Sequence, residues 1–119
     1  MLGWFKKKRE RAAPESKWIV AIDGDQISVS DGAGQIRTVA TASLSRVVIE
    51  TNDSGPWGVD LWWLLFAGDQ LACAIPQGAA GEEAILNYVS ALPSLDEGEM
   101  VKAMTSAENA AYVVWRKPT

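Results

Sequence analysis

Two carboxylates, Asp53 and Asp60, flank a Gly55-Pro56-Trp57 loop within the turn-rich stretch 52–58, which also holds Asn52, Ser54 and Gly58. Paired carboxylates at this spacing are raw material for general acid–base chemistry or for holding a hard cation. An enzyme built on Asp53 and Asp60 is therefore one reading. Neither a nucleophile nor an oxyanion donor stands near them in sequence, so an Asx turn at Asp53 and a strand start at Asp60 explain them more economically. Asp23, Asp25 and Asp31 lack the ligand spacing of a calcium loop and read as turn residues. Gly32 and Gly34, and Gly78 and Gly81, miss the glycine patterns of phosphate-binding loops. Cys73 alternates with Leu71 and Ile75 and reads as a small core hydrophobe, with no Lys or Arg close in sequence to lower its pKa.

What is absent narrows the chemistry further. The 119 residues contain no histidine and one cysteine. That excludes Ser-His-Asp and Cys-His catalysis, zinc sites built on His or several Cys, and an intrachain disulfide framework. No catalytic residue, metal ligand or cofactor is assigned. Six tryptophans are many for this length. Trp62 and Trp63 are expected in the core on opposite sides of one strand. Trp57, between Gly55-Pro56 and Gly58, is expected to present its ring to a partner, with Asp53 and Asp60 beside it.

Charge is divided along the chain. Lys6, Lys7, Lys8, Arg9 and Arg11 face one acid, Glu10, in the first eleven residues, while six of the 11 basic and fourteen of the 15 acidic side chains lie beyond them. An acidic body repels nucleic acid and anionic lipid and attracts a protein with a basic face. The start of the chain does the reverse: Leu2, Trp4 and Phe5 can insert at an interface while Lys6, Lys7, Lys8 and Arg9 face anionic lipid. The apolar stretch before these charges is too short for a signal peptide, so the expected location is cytoplasmic, with a weak contact at the inner face of the membrane through residues 1–11.

These features need a scaffold. Residues 1–16 read as a basic tail and 17–116 as one globular domain, within the usual size of one. Residues 17–22 and 26–30 alternate as strands about an Asp23-Gly24-Asp25 turn; 35–40 is a weaker edge strand and 44–51 a stronger one. Residues 59–67 are apolar on both faces, with Leu61, Trp63 and Leu65 opposed to Trp62, Leu64 and Phe66, as in a central strand covered on both sides. Gly68-Asp69 turns the chain into a strand at 70–75. The period then changes to 3.6 over 82–92, with Ile85, Tyr88, Val89 and Leu92 on one face, until Pro93. A second helix runs to about Met104, its capping box drawn either from Ser94 and Glu97 or from Asp96 and Glu99. Residues 110–116 are a final strand. The expected class is α+β: a mainly antiparallel, curled sheet of six to seven strands packed by a C-terminal helix, analogous to a pleckstrin-homology-like roll.

A set of motifs covers most of the chain beyond residue 43, together with its start: Trp4-Phe5-Lys6-Lys7-Lys8, the loop 51–56, the segment 60–66, Ile75-Pro76-Gln77-Gly78, and the ending 112–116. In these the chain resembles a group of small bacterial proteins of unassigned function with a pleckstrin-homology-like architecture. The resemblance implies a single small cytoplasmic domain and brings no catalytic residues. The leading functional expectation is a non-enzymatic interaction module, monomeric or weakly dimeric, whose acidic body binds a protein. One version is an immunity or inhibitor protein masking a basic toxin; the alternative is a peripheral membrane adaptor using the tail.

Overall fold

Strand β5, Gly58–Ala67, is apolar at every position from Leu61 to Phe66, and all six side chains are buried. The computed structural model describes residues 18–55 and 58–118, and the side chains of all of these but 53–55, 58 and 59. Within them seven strands and two helices follow in the order expected: β1 (Ile19–Asp23), β2 (Gln26–Ser30), β3 (Ile36–Ala40), β4 (Leu44–Gly55), β5, β6 (Gln70–Pro76), α1 (Glu82–Ser90), α2 (Glu97–Thr105) and β7 (Ala110–Arg116). The fold is α+β, but its strands form two antiparallel sheets rather than one. The smaller has the order β1-β2-β3; the larger has the order β6-β5-β4-β7. A 3-10 turn at Thr41–Ser43 carries the chain from one to the other. The sheets do not close into a barrel.

The register defines two faces of the larger sheet. Val47, Ile49 and Thr51 of β4 stand opposite Leu65, Trp63 and Leu61 of β5, and Leu65 and Trp63 stand opposite Cys73 and Ile75 of β6. This inner face meets the helices. Trp63 Nε1 donates to Glu82 of α1, and Thr51 Oγ1 lies 3.2 Å from Ser106 Oγ, just past α2. Tyr112 Oη also donates to Ser106, and Trp115 Nε1 donates to the carbonyl of Pro93 between the helices. Ile85, Val89 and Ala103 fill the space between. The smaller sheet contributes Val20, Val29, Ile27 and Val39 to the same core. Its opposite face is open, with Ile19 54% and Ile36 70% exposed.

Two boundaries differ from the sequence reading. The loop expected at 52–58 is mostly strand: Asn52 pairs with Asp60, and Gly55 with Gly58. Strong flanking strands carry the ladder through residues that favour turns when alone, and a register irregularity between Asn52 and Gly55 absorbs the misfit. Helix α1 ends at Ser90 rather than Leu92, its last carbonyls capped by the N–H groups of Ala91 and Leu92. The second capping alternative is the one formed: Asp96 accepts from the N–H of Glu99 at 3.0 Å.

The junction before α1 fixes how the helix meets both sheets. Ala80 donates its N–H to the carbonyl of Trp18 and accepts from the N–H of Val20, each at 2.8 Å. This brings Gly81, at φ 88°, against the strand: a Cβ at Gly81 would stand 2.1 Å from the Val20 carbonyl oxygen. Both the left-handed backbone and the contact demand glycine. Gly81→Ala is therefore expected to destabilise the chain by roughly 2–4 kcal/mol, whereas Gly24→Ala, which meets nothing, should cost only about 1 kcal/mol for its positive φ. Chemical denaturation of the two variants checks this; equal losses would show that the close approach at Val20 carries no weight.

Candidate functional site

At the end of the larger sheet, beside β7, the chain changes direction twice. Pro93 and Ser94 follow α1, and Ser94 takes a left-handed conformation, φ 65°, unusual for a residue other than glycine. Asp96 then starts α2 and donates its own N–H to the carbonyl of Val114 at 2.8 Å, which ties the helix start to the strand. Between them lies an open groove of about 500 Å³, lined by Ser94, Asp96, Glu99, Val113, Trp115 and Arg116 among others. Among the described residues β7 is the outermost strand on this side.

The groove is acidic at the helix and basic at the strand end. Asp96 and Glu99 point carboxylates at the start of α2, where the helix dipole favours them. One oxygen of Asp96 caps the Glu99 N–H, and one of Glu99 pairs with Lys102 at 3.1 Å. Each retains a second oxygen as an acceptor. Val113 and Trp115 give the floor its apolar part, and Arg116 closes the other end. This layout suits recognition of an extended, basic chain. It offers no nucleophile and base in contact.

The residues singled out from sequence fare unequally. Asp60 is half-buried in β5 opposite Asn52. Asp53 lies on the paired end of β4, but its side chain is outside the described residues, as are Trp57 and the tail residues Leu2, Trp4, Phe5, Lys6, Lys7, Lys8 and Arg9. Among the described residues no three His, Cys, Asp or Glu side chains gather as a metal would require. Asp31 is a turn residue as expected: its carboxylate accepts from the N–H groups of Ala33 and Gln35. Trp62 and Trp63 are both buried, on opposite faces of β5.

Sequence reasoning missed a second polar cluster. Glu82 Oε2 accepts from Trp63 Nε1 and Oε1 from the N–H of Gly78, both at 2.9 Å. Trp63 is 1% exposed, so its indole N–H needs a partner from the protein. One carboxylate thus satisfies a buried ring and an otherwise open turn, which marks the cluster as structural. The hint in the sequence is a Glu in the first turn of a helix that follows a Trp-rich strand, too weak to name the pair.

Cys73 is fully buried, and its pKa is raised to about 11. Burial disfavours the thiolate; Arg37, distant in sequence yet near in space, opposes this but does not prevail. The thiol is a core group. Comparison of the chain with protein-family models, with curated proteins and with solved structures finds no match in any of the three.

Two outcomes follow from these clusters. Glu82→Ala should cost about 1–3 kcal/mol by leaving a buried indole N–H unpaired, and much less in a Trp63→Phe background; a double-mutant cycle measures the coupling. For Cys73, the folded state holds its proton to higher pH than the unfolded chain does, so stability present below about pH 9 is lost as pH rises towards 11. Cys73→Ala should remove that part of the alkaline loss, which denaturation at pH 8 and pH 10.5 would read.

Proposed function

We propose that the chain is a non-enzymatic interaction module, and that it takes an extended, basic segment of a protein partner along β7. The observation that carries this is the open groove between the outermost strand of the larger sheet and the start of α2, with Asp96 and Glu99 on one wall and Val113 and Trp115 below. A strand at the edge of a sheet offers main-chain groups to an incoming chain, and side pockets then give selectivity. The acidic balance beyond residue 11 speeds encounter with a basic partner. A basic toxin masked by such a surface is one partner of this chemistry. The finer fold analogy belongs to the same reading: two antiparallel sheets with helices against one of them favour a pleckstrin-homology-like roll, from which β7, seated beside β4 after the helices, departs.

Titration of the isotopically labelled full chain with extended Lys/Arg-rich peptides is expected to shift amide resonances at 94–99 and 111–116, with acidic peptides of equal length inert. Ala111→Arg, at an exposed position lining the groove, should weaken binding tenfold or more and leave the melting temperature within about 2 °C, as for most surface changes. Shifts confined to other surfaces, or none with any basic peptide, would end this assignment.

A further inference from the structure

The basic side chains among the described residues are unevenly placed. Lys102 pairs with Glu99. Arg37 lies near enough to Cys73 to act on its thiol. The other three, Arg46, Arg116 and Lys117, gather at one corner of the larger sheet, where β7 ends beside the start of β4. Lys117 donates its backbone N–H to the Ser45 carbonyl at 2.8 Å and its Nζ to the Ala42 carbonyl at 3.1 Å. The bond to Ser45 makes Arg46 and Arg116 a cross-strand pair of the non-hydrogen-bonded kind, whose side chains stand closest, with Cα atoms about 4.5 Å apart. Like charges directly opposite each other destabilise a sheet. No carboxylate among the described residues pairs with either arginine.

Arg46 is nonetheless held in place. Its guanidinium lies over the Phe66 ring, 4.2 Å from the centroid, and Nε is buried there with no acceptor. Its terminal nitrogens have no acceptor among the described residues either, and the residue as a whole is half-buried. Arg116 beside it is exposed and lines the groove. Two adjacent guanidiniums, one already fixed on a ring, present N–H donors that a single oxyanion can bridge. The charge of that oxyanion is limited by its surroundings. Asp96 and Glu99 line the same groove as Arg116, and they repel a phosphate group, with a charge of about −1.5 to −2, more than a singly charged carboxylate. We propose that Arg46 and Arg116 form a carboxylate site, which takes an acidic group of the segment bound along β7. The segment then carries an acid, side-chain or chain-terminal, at the end of β7, and its basic residues lie towards Asp96 and Glu99. The basic part of this ligand rests on the reading of the groove given above; the carboxylate site is tested without it.

Two titrations of the full chain test this. In the first, the arginine Nε–Hε resonances are followed as sodium acetate replaces sodium chloride at constant ionic strength. Those of Arg46 and Arg116 should move and saturate, while that of Arg37 stays in place. In the second, one Lys/Arg-rich peptide is compared in three forms: with a free terminal carboxylate, amidated, and amidated after an added terminal Asp. At least one acid-bearing form should bind about tenfold more tightly than the plain amide, and which form gains identifies a chain end or a side chain as the source. Arg116→Gln, at an exposed position that leaves Arg46 on its ring, should erase the difference and leave binding of the plain amide no weaker. A response of Arg46 and Arg116 to acetate, with no peptide bound in any form, would uphold the carboxylate site and end the reading of the groove. Equal binding of all three peptides would uphold the groove and overturn the site. Shifts of Arg37 as large as those of Arg46 and Arg116, or a tenfold preference for inorganic phosphate over acetate, would overturn it as well.

Discussion

The architecture turns on one strand that tolerates water on neither side. β5 places Leu61, Trp63 and Leu65 on one face and Trp62, Leu64 and Phe66 on the other, all buried. Burial of large side chains like these is worth about 1.5–3 kcal/mol each, so two coverings are required, not one. The coverings are assembled from sequence-distant parts: two helices from after β6 meet the inner face, and three short strands from before β4 join the same core. That arrangement explains why the fold is a pair of sheets. A single seven-stranded sheet would have to find partners for both faces along its whole width, whereas dividing the strands in two lets the smaller sheet bury its apolar face in the core of the larger.

Helix α1 reaches its place through a junction with little freedom. The chain leaves β6 at Pro76, with Gln77 donating to the Leu61 carbonyl, and within four residues Ala80 is bonded to both Trp18 and Val20. Gly81 then passes where no side chain fits, and Glu82 anchors the first turn to Trp63. Each contact satisfies a group that would otherwise be an unpaired donor or acceptor near the core. A carboxylate is suited to this position because it accepts at two oxygens and lies in the favourable field of the helix start. One short segment thereby locks the small sheet, the large sheet and the first helix together.

The two faces of β5, the limits of β2 and β7, and the choice of Asp96 with Glu99 as a possible cap were legible in the sequence, because each is written in local periodicity or in a spacing of two to four residues. The division into two sheets was not. Alternation shows that a strand has a buried side but not which strand lies beside it, and the break at Thr41–Ser43 carries no turn signal stronger than its neighbours. The run from Asn52 to Gly55 misled for the opposite reason: its composition favours a turn, and the pairing of long strands overrode it. Of the candidate site, only the acids at the start of α2 stood out. The groove exists because β7 returns to the edge of the sheet, a long-range pairing that no window of residues contains.

β7 also borders two surfaces of the larger sheet. Val113 is directly opposite Val48, so it borders the outer face, and it lines the groove beside α2 as well. Arg116, opposite Arg46, does the same at the basic end. Arg46 Nε is buried there without an acceptor, its guanidinium held over Phe66. Two cations side by side with one donor unpaired make this corner costly as it stands, and a carboxylate arriving from either surface would relieve it. A partner lying in the proposed groove would therefore meet residues that also border the outer face, and a carboxylate it placed at this corner would be held by Arg46 and Arg116 while its basic side chains met Asp96 and Glu99 on the far wall.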